Sequence, residues 1–270
     1  MWVSPPESVV RLNPNPIDLL LVAALVLALL SSAGCNAPRD RELDLRLLAG
    51  AEKKGSEPES SPPKHKELRL VPYTKTEIEK IFAKVPGPRG KNAKLRVTVR
   101  TKPGKILCEL DHKHAPQTVA NFVALATGQK EWTDPENKRV NRGKFYDGLT
   151  FHRVIANFMA QTGNPGLKGN HGPGWKIARE KGRTSRWSHP GVMAMVESGS
   201  HSHGSQFFIT VKKATKHKDN YTPFGVCEVN DALRAIANAP TRPTGEKGKK
   251  GKKPVDPVIL DGLDFRWTAR

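Results

Sequence analysis

One run of fourteen residues constrains the fold more tightly than any other stretch: Phe151-His152-Arg153-Val154-Ile155-Ala156-Asn157-Phe158-Met159-Ala160-Gln161-Thr162-Gly163-Asn164. Its periodicity predicts two short β-segments, residues 150–155 and 158–162, joined at Ala156-Asn157. Alternation places His152 and Val154 on one face, with Phe151, Arg153 and Ile155 on the other. A guanidinium among apolar groups requires a buried acceptor or an open cleft that holds a ligand. The plainer alternative is an edge-strand arginine that reaches out to water. In the second segment Met159 and Gln161 share a face, and an unkinked strand points Phe158 the other way.

The charge balance is strongly basic. Lys and Arg total 45 against 26 Asp and Glu, a formal net charge of +19. Such a chain associates with anionic surfaces. Nucleic acid is not an expected partner, because the sequence has no zinc-finger spacing, no basic helix with heptads and no ribonucleoprotein aromatic pattern. The three cysteines, Cys35, Cys108 and Cys227, include no CxxC pair. Cys108 and Cys227 fall in predicted strands and read as small buried hydrophobes, and spacing leaves open whether they pair.

The first third of the chain reads as targeting and tether. Residues 19–30 are an unbroken apolar run of 12, shorter than the roughly 20 of a membrane span and suited to a signal-peptide core. Small residues Ser31-Ser32-Ala33-Gly34 lead into Cys35, in a pattern that resembles a bacterial lipoprotein signal. Residues 1–34 are therefore expected to be a signal peptide, with Cys35 the lipid attachment site. Residues 35–93 are expected to be a flexible linker rich in Pro, Ser and charge. Within it, Thr76-Glu77-Ile78-Glu79 predicts one short helix ending near Lys84.

From Lys94 the composition turns globular. Residues 95–99 and 105–110 read as strands around a Lys102-Pro103-Gly104 turn. Pro116 opens a helix whose stripe is Val119, Phe122, Val123 and Ala126, and Gly128 stops it. Residues 163–175, with five glycines and two prolines, lack the GK[ST] ending of a phosphate loop. Residues 191–196 and 206–211 are further strands, Asp231 is a candidate cap for a helix over 232–238, and residues 255–263 close the sheet. About eight short strands and two helices fit a mainly β fold, a closed eight-stranded antiparallel β-barrel capped by two α-helices. Residues 241–254 insert a Lys/Gly loop that suits anionic membrane.

Three segments carry a resemblance. The long run resembles the signature of cyclophilin-type peptidyl-prolyl cis-trans isomerases. Gly204-Ser205-Gln206-Phe207-Phe208-Ile209-Thr210 is similar to that family's GSQFFI strand, and Tyr221-Thr222-Pro223-Phe224-Gly225 to its FG segment. Order and spacing also match, from about Lys94 to the C-terminus. The resemblance implies a domain over residues 94–270 that isomerises X-Pro bonds, with no cofactor and no metal. It implies Arg153 as the catalytic donor to the prolyl nitrogen, Phe158, Met159 and Phe208 as the apolar receptor of the proline ring, and Gln161 and Gln206 as polar substrate contacts. Tyr221 stands where many relatives carry His and His217 where Leu is usual, while Val196-Glu197 replace an Ala-Asn or Ala-Arg pair beside the peptide groove. His201-Ser202-His203 reads as plain surface residues rather than a metal site.

The expected protein is an exported, membrane-anchored lipoprotein facing the periplasm or cell exterior. It acts as a monomer on proline-containing polypeptides. The competing expectation is a catalytically weak cyclophilin-like module that binds peptides as an anchored chaperone.

Overall fold

Alternation in the sequence decides the sheet. In the computed structural model, which describes residues 68–166, 171–199, 202–217, 221–242 and 252–269, β1 (Lys94–Thr101) buries Leu95, Val97 and Val99 completely while its even-numbered residues stay partly exposed. It pairs antiparallel with β2 (Gly104–Leu110) on one side and with the last strand, β13 (Leu260–Thr268), on the other. Then follow α2 (Pro116–Ala126), the hairpin β3 (Trp132–Thr133) and β4 (Val140–Asn141), β5 (Arg153–Ile155), β6 (Met159–Thr162) and β7 (Ile177–Ala178). The remainder is β8 (Val192–Glu197), β9 (Ser202–Thr210), β10 (Thr222–Cys227), α3 (Asp231–Ala237), β11 (Thr241–Arg242) and β12 (Lys253–Pro254).

The main sheet runs β13-β1-β2-β10-β8-β9-β6-β5, with β7 added alongside β9. It is a curled eight-strand antiparallel half-barrel. The expected continuous closure is not present as a ladder: between the end strands lie an isolated bridge, Thr150↔Ile259, and single bonds such as the Phe151 N–H to the Val258 carbonyl at 2.9 Å. The reason is the length of β5. It begins at Arg153 rather than Thr150, so the residues facing β13 are outside any strand.

The concave side is filled by α2, whose residues from Thr118 to Ala126 are all buried. Phe122 sits against Tyr146, Phe207, Phe224 and Phe265 at ring separations of 5.2 to 5.7 Å, in the tilted and edge-on geometries that aromatic quadrupoles favour. No side chain of its own caps α2. Glu180, far along the chain, accepts from the Gln117 and Thr118 N–H groups at 3.0 and 2.7 Å, satisfying orphan donors and complementing the helix dipole. At α3 the cap is Asn230, which accepts from Leu233 N–H at 3.1 Å; the expected cap, Asp231, is the first helical residue.

Order extends upstream of Lys94. α1 (Lys75–Ala83) starts with a capping box in which Thr74 and Glu77 serve each other's backbone. It lies two residues earlier than the expected Thr76-to-Glu79 box, so Thr76 is inside the helix. Tyr73, Ile81, Phe82 and Val85 join the main core. The Trp267 indole donates to the Phe82 carbonyl at 3.2 Å, and its backbone N–H donates to Pro86 O at 2.7 Å. Gly87, at φ +109°, lets the chain pass so close to Trp267 that a Cβ would collide with its carbonyl. The sequence reading assigned 35–93 to linker because its apolar residues are sparse; these few are enough to cover the α2–β13 side.

Cys108 and Cys227 face each other across β2 and β10 and form a disulfide. Both are buried, as expected, and the pairing that spacing left open is made. Register, which depends on long-range pairing, brings them together.

Candidate active site

Four neighbouring strands, β5, β6, β9 and β8, align one row of residues: Arg153 opposite Gln161, Gln161 opposite Phe208, and Phe208 opposite Ala194. Strand alternation sends the two sets of side chains to different places. Val154, Ala160, Phe207, Ile209, Met193 and Met195 enter the main core. Met159, Phe208, Ala194 and Val192 instead build a second cluster on the outer face with Trp187 and Ala214, against which Ile155, Phe158, Val196 and Tyr221 pack.

Two expectations about faces change. Phe151 precedes β5 and lies in the main core with Val154, so it does not share a face with Arg153. Phe158 sits on the same outer cluster as Met159, because Asn157 turns the chain at φ +56° and kinks it just before β6.

This outer cluster opens into a cavity of about 110 Å³ lined by Arg153, Ile155, Phe158, Met159, Gln161, Val196, Phe208 and Tyr221. Sites for drug-sized ligands run to about 300–1,000 Å³; this one suits a single ring-sized side chain. Its floor is apolar, and its polar edge is a relay. Arg153 Nη1 donates to Gln161 Oε1 at 2.9 Å, Gln161 Nε2 donates to Gln206 Oε1 at 2.9 Å, and Gln206 Nε2 donates to the His171 carbonyl at 3.0 Å. The relay fixes the guanidinium plane before any ligand arrives. Tyr221 stands edge-on to Phe208, with ring centroids 5.2 Å apart.

Seven of the residues singled out from sequence therefore meet in one cavity, and Gln206 supports it from behind. Glu197 does not line it: beyond an irregularity between Met195 and Glu197, β8 pairs Glu197 with His203. His217 ends a short 3-10 turn, Thr215–His217, and is not among the residues that line the cavity. Cys35 lies outside the described residues, as does the tip of the Lys/Gly loop, whose base is the β11–β12 pair. Sequence reading missed Ile155 as a wall residue and Trp187 altogether. Ile155 was legible, because it shares β5's outer face with Arg153. For Trp187 no local signal existed, since its neighbours are all remote in sequence.

His203 is not on the surface, as its loop-like sequence suggested. It lies fully buried on β9, with Nε2 2.7 Å from the Thr222 hydroxyl. Burial pulls its pKa down to about 4, and burial does the same to His152, also to about 4. His152 lies against the relay, 3.4 Å from Gln161 Nε2. Both rings are neutral in the folded protein and titrate near 6.5 once unfolded. Their contribution to stability is intact above about pH 6.5 and is lost progressively as pH falls toward 4, each by up to about 1.4 kcal/mol per pH unit. The melting temperature should therefore fall steadily between pH 6.5 and 4.5, and His203→Gln should flatten that slope. A melting temperature that does not change over this range would mean that neither ring is held neutral.

Fold and site together define a class. The family described as cyclophilin type peptidyl-prolyl cis-trans isomerase/CLD matches residues 96–261, and this chain belongs to it. Among proteins it resembles, peptidyl-prolyl cis-trans isomerase B of Streptomyces anulatus is 42% identical over 152 residues, covering 54% of this chain and 86% of that protein. Peptidyl-prolyl cis-trans isomerase A of Mycobacterium tuberculosis is 39% identical over 171 residues, covering 62% of this chain and 89% of that one. A solved cyclophilin type peptidyl-prolyl cis-trans isomerase from Cryptosporidium parvum shares the fold, with a TM-score of 0.52 at 24% identity over 64% of this chain and 98% of that one.

Proposed function

We propose that this chain accelerates rotation about X-Pro bonds of proteins outside the cytoplasm, with Arg153 as the catalytic donor. The observation that carries the reading is the guanidinium held by Gln161 at the rim of a ring-sized apolar cavity. A peptide bond resists rotation because of its partial double-bond character, with a barrier of about 18–20 kcal/mol. Twisting it removes that conjugation and leaves a lone pair on the prolyl nitrogen. A donor aimed at this lone pair stabilises the twisted state alone, and so lowers the barrier without tightening the ground state. Arginine suits the role, since it stays charged and its planar fork is pre-organised. Phe158, Met159 and Phe208 receive the proline ring, Gln161 holds the backbone on either side of it, and Val196 and Tyr221 shape the rim. No covalent step and no cofactor enters this mechanism.

A protease-coupled isomerisation assay on the purified chain tests the reading, using a peptide whose X-Pro bond must be trans for cleavage. Acceleration proportional to enzyme concentration is expected. A folded chain that binds the peptide without accelerating it would be the competing anchored peptide-binding module.

Export is supported by the Cys108–Cys227 disulfide, since such bonds persist mainly in oxidising compartments. The lipid anchor rests on Cys35 after its apolar run, because acyl chains contribute about 0.8 kcal/mol per buried methylene and two or three hold firmly. Cys35→Ser should turn a membrane-pelleting protein that incorporates labelled palmitate into an unlabelled one, either uncleaved or released. Equal labelling of both forms, or none in the natural chain, would leave an ordinary signal peptide.

A further inference from the structure

We propose that Trp187 is a positioning residue that sets the depth of the proline pocket and thereby its selectivity for a five-membered ring. Trp187 is fully buried and does not line the cavity. Its indole lies almost parallel behind Phe208, at 6.2 Å and 26°, and tilted against Tyr221 at 6.4 Å and 59°. Phe208 and Tyr221, both wall residues, stand edge-on to each other at 5.2 Å. The three rings form a closed triangle, two of whose members face the ligand space and one of which backs them.

The backing ring is itself fixed. It sits in the 3-10 turn Thr184–Ser188. On one flank of that turn Arg183 and Arg186 reach the buried Asp111 carboxylate, at 3.2 and 3.9 Å. On the other, the Trp187 carbonyl accepts from the Ala214 N–H at 2.9 Å. Pinned on both sides, the indole blocks any retreat of Phe208 and Tyr221. Close-packed interiors transmit such constraints because they have no slack. A smaller side chain at 187 lets the two wall rings settle back, and the cavity deepens by part of a ring.

The catalytic donor is on another strand and owes its orientation to Gln161, so this change acts on fit and not on the arginine. Pocket depth discriminates by size, and one methylene in an apolar pocket is worth roughly 10–200-fold. Peptides carrying proline and peptides carrying pipecolic acid, its six-membered analogue, differ by that one methylene.

The inference rests on the isomerase reading, and the experiment separates the two. The purified full chain and its Trp187→Phe variant are compared on matched X-Pro and X-pipecolyl peptides. The expected result is a KM for the proline peptide raised about tenfold with kcat altered less than about threefold, and a pipecolyl-to-prolyl ratio of kcat/KM raised at least about tenfold. An active wild type whose variant keeps both KM and ratio overturns the positioning role alone; a wild type inactive on both peptides overturns the isomerase reading with it. A measurement on the natural chain covers the case of a variant that fails to fold. The protein has five tryptophans, and Trp132, Trp175 and Trp267 belong to or pack against the main core. With 5-fluorotryptophan incorporated, an Ala-Ala-Pro-Phe peptide should shift a single fluorine resonance. Movement of none, or of all alike, overturns the proposal.

Discussion

Arg153→Ala lowers kcat/KM for X-Pro isomerisation by two or more orders of magnitude, about 2.7 kcal/mol of transition-state stabilisation, and leaves the circular dichroism spectrum unchanged. The argument follows from where Arg153 sits. Its side chain projects from the outer face of β5, away from the main core, so truncation opens no void among the packed residues that hold the fold. What is lost is a charged donor at the rim of an apolar cavity, where a hydrogen bond formed only in the twisted state counts in full. Arg153→Lys should restore little, because an ammonium lacks the planar fork that meets Gln161 and a substrate together. Nearly full activity in a folded Arg153→Ala would remove this residue from the mechanism.

Opening the disulfide has the largest expected effect on stability. Cys108 and Cys227 are 119 residues apart in sequence, and a cross-link closing so long a loop restricts the unfolded chain by about 4–5 kcal/mol in the chain-entropy account. Measured values are usually lower, so the double variant Cys108→Ala/Cys227→Ala should lose roughly 2–4 kcal/mol, or about 5–15 °C of melting temperature. Calorimetry under oxidising conditions, beside wild type with and without a thiol reductant, checks this. Activity at low temperature should persist, since neither cysteine lines the cavity. Equal melting temperatures for oxidised and reduced wild type would show that the cross-link adds nothing beyond the register of β2 and β10.

Local patterns in the sequence carried the chemistry further than the architecture. Alternation, a local rule, put Met159 and Gln161 on one face and Arg153 with Ile155 on another. The resemblance implied that Arg153, Met159 and Gln161 share a site, and the registers of β5, β6 and β9 bring them together. Phe151 was misplaced because β5 begins only at Arg153, and Phe158 reaches the pocket through a kink at Asn157, whose left-handed conformation composition does not announce. Spacing left the disulfide open, and the particular contacts of Tyr73 and Phe82 with the core and the Glu180 cap on α2 were not legible. Each joins residues distant in sequence, and only the assembled sheet brings them within reach. Glu197, expected beside the peptide groove, pairs with His203 and does not line the cavity, whereas its neighbour Val196 does.

The bonds that tie Trp267 to Phe82 and Pro86 have a mechanical consequence. They stitch α1 and the segment after it to the last strand, and that strand lies beside β1 along eight paired positions. A pull applied upstream of residue 68 therefore enters through α1 and is handed directly to β13. The paired strands then resist it along their length, as a lap joint does, many hydrogen bonds sharing the load at once. Without that stitch the same force would arrive at Lys94 and open β1 from its end, one bond at a time, as a zip opens. Force taken up in this way is shared among α1, β1 and β13 and does not pass through β5, β6, β8 and β9, the strands that carry the candidate pocket.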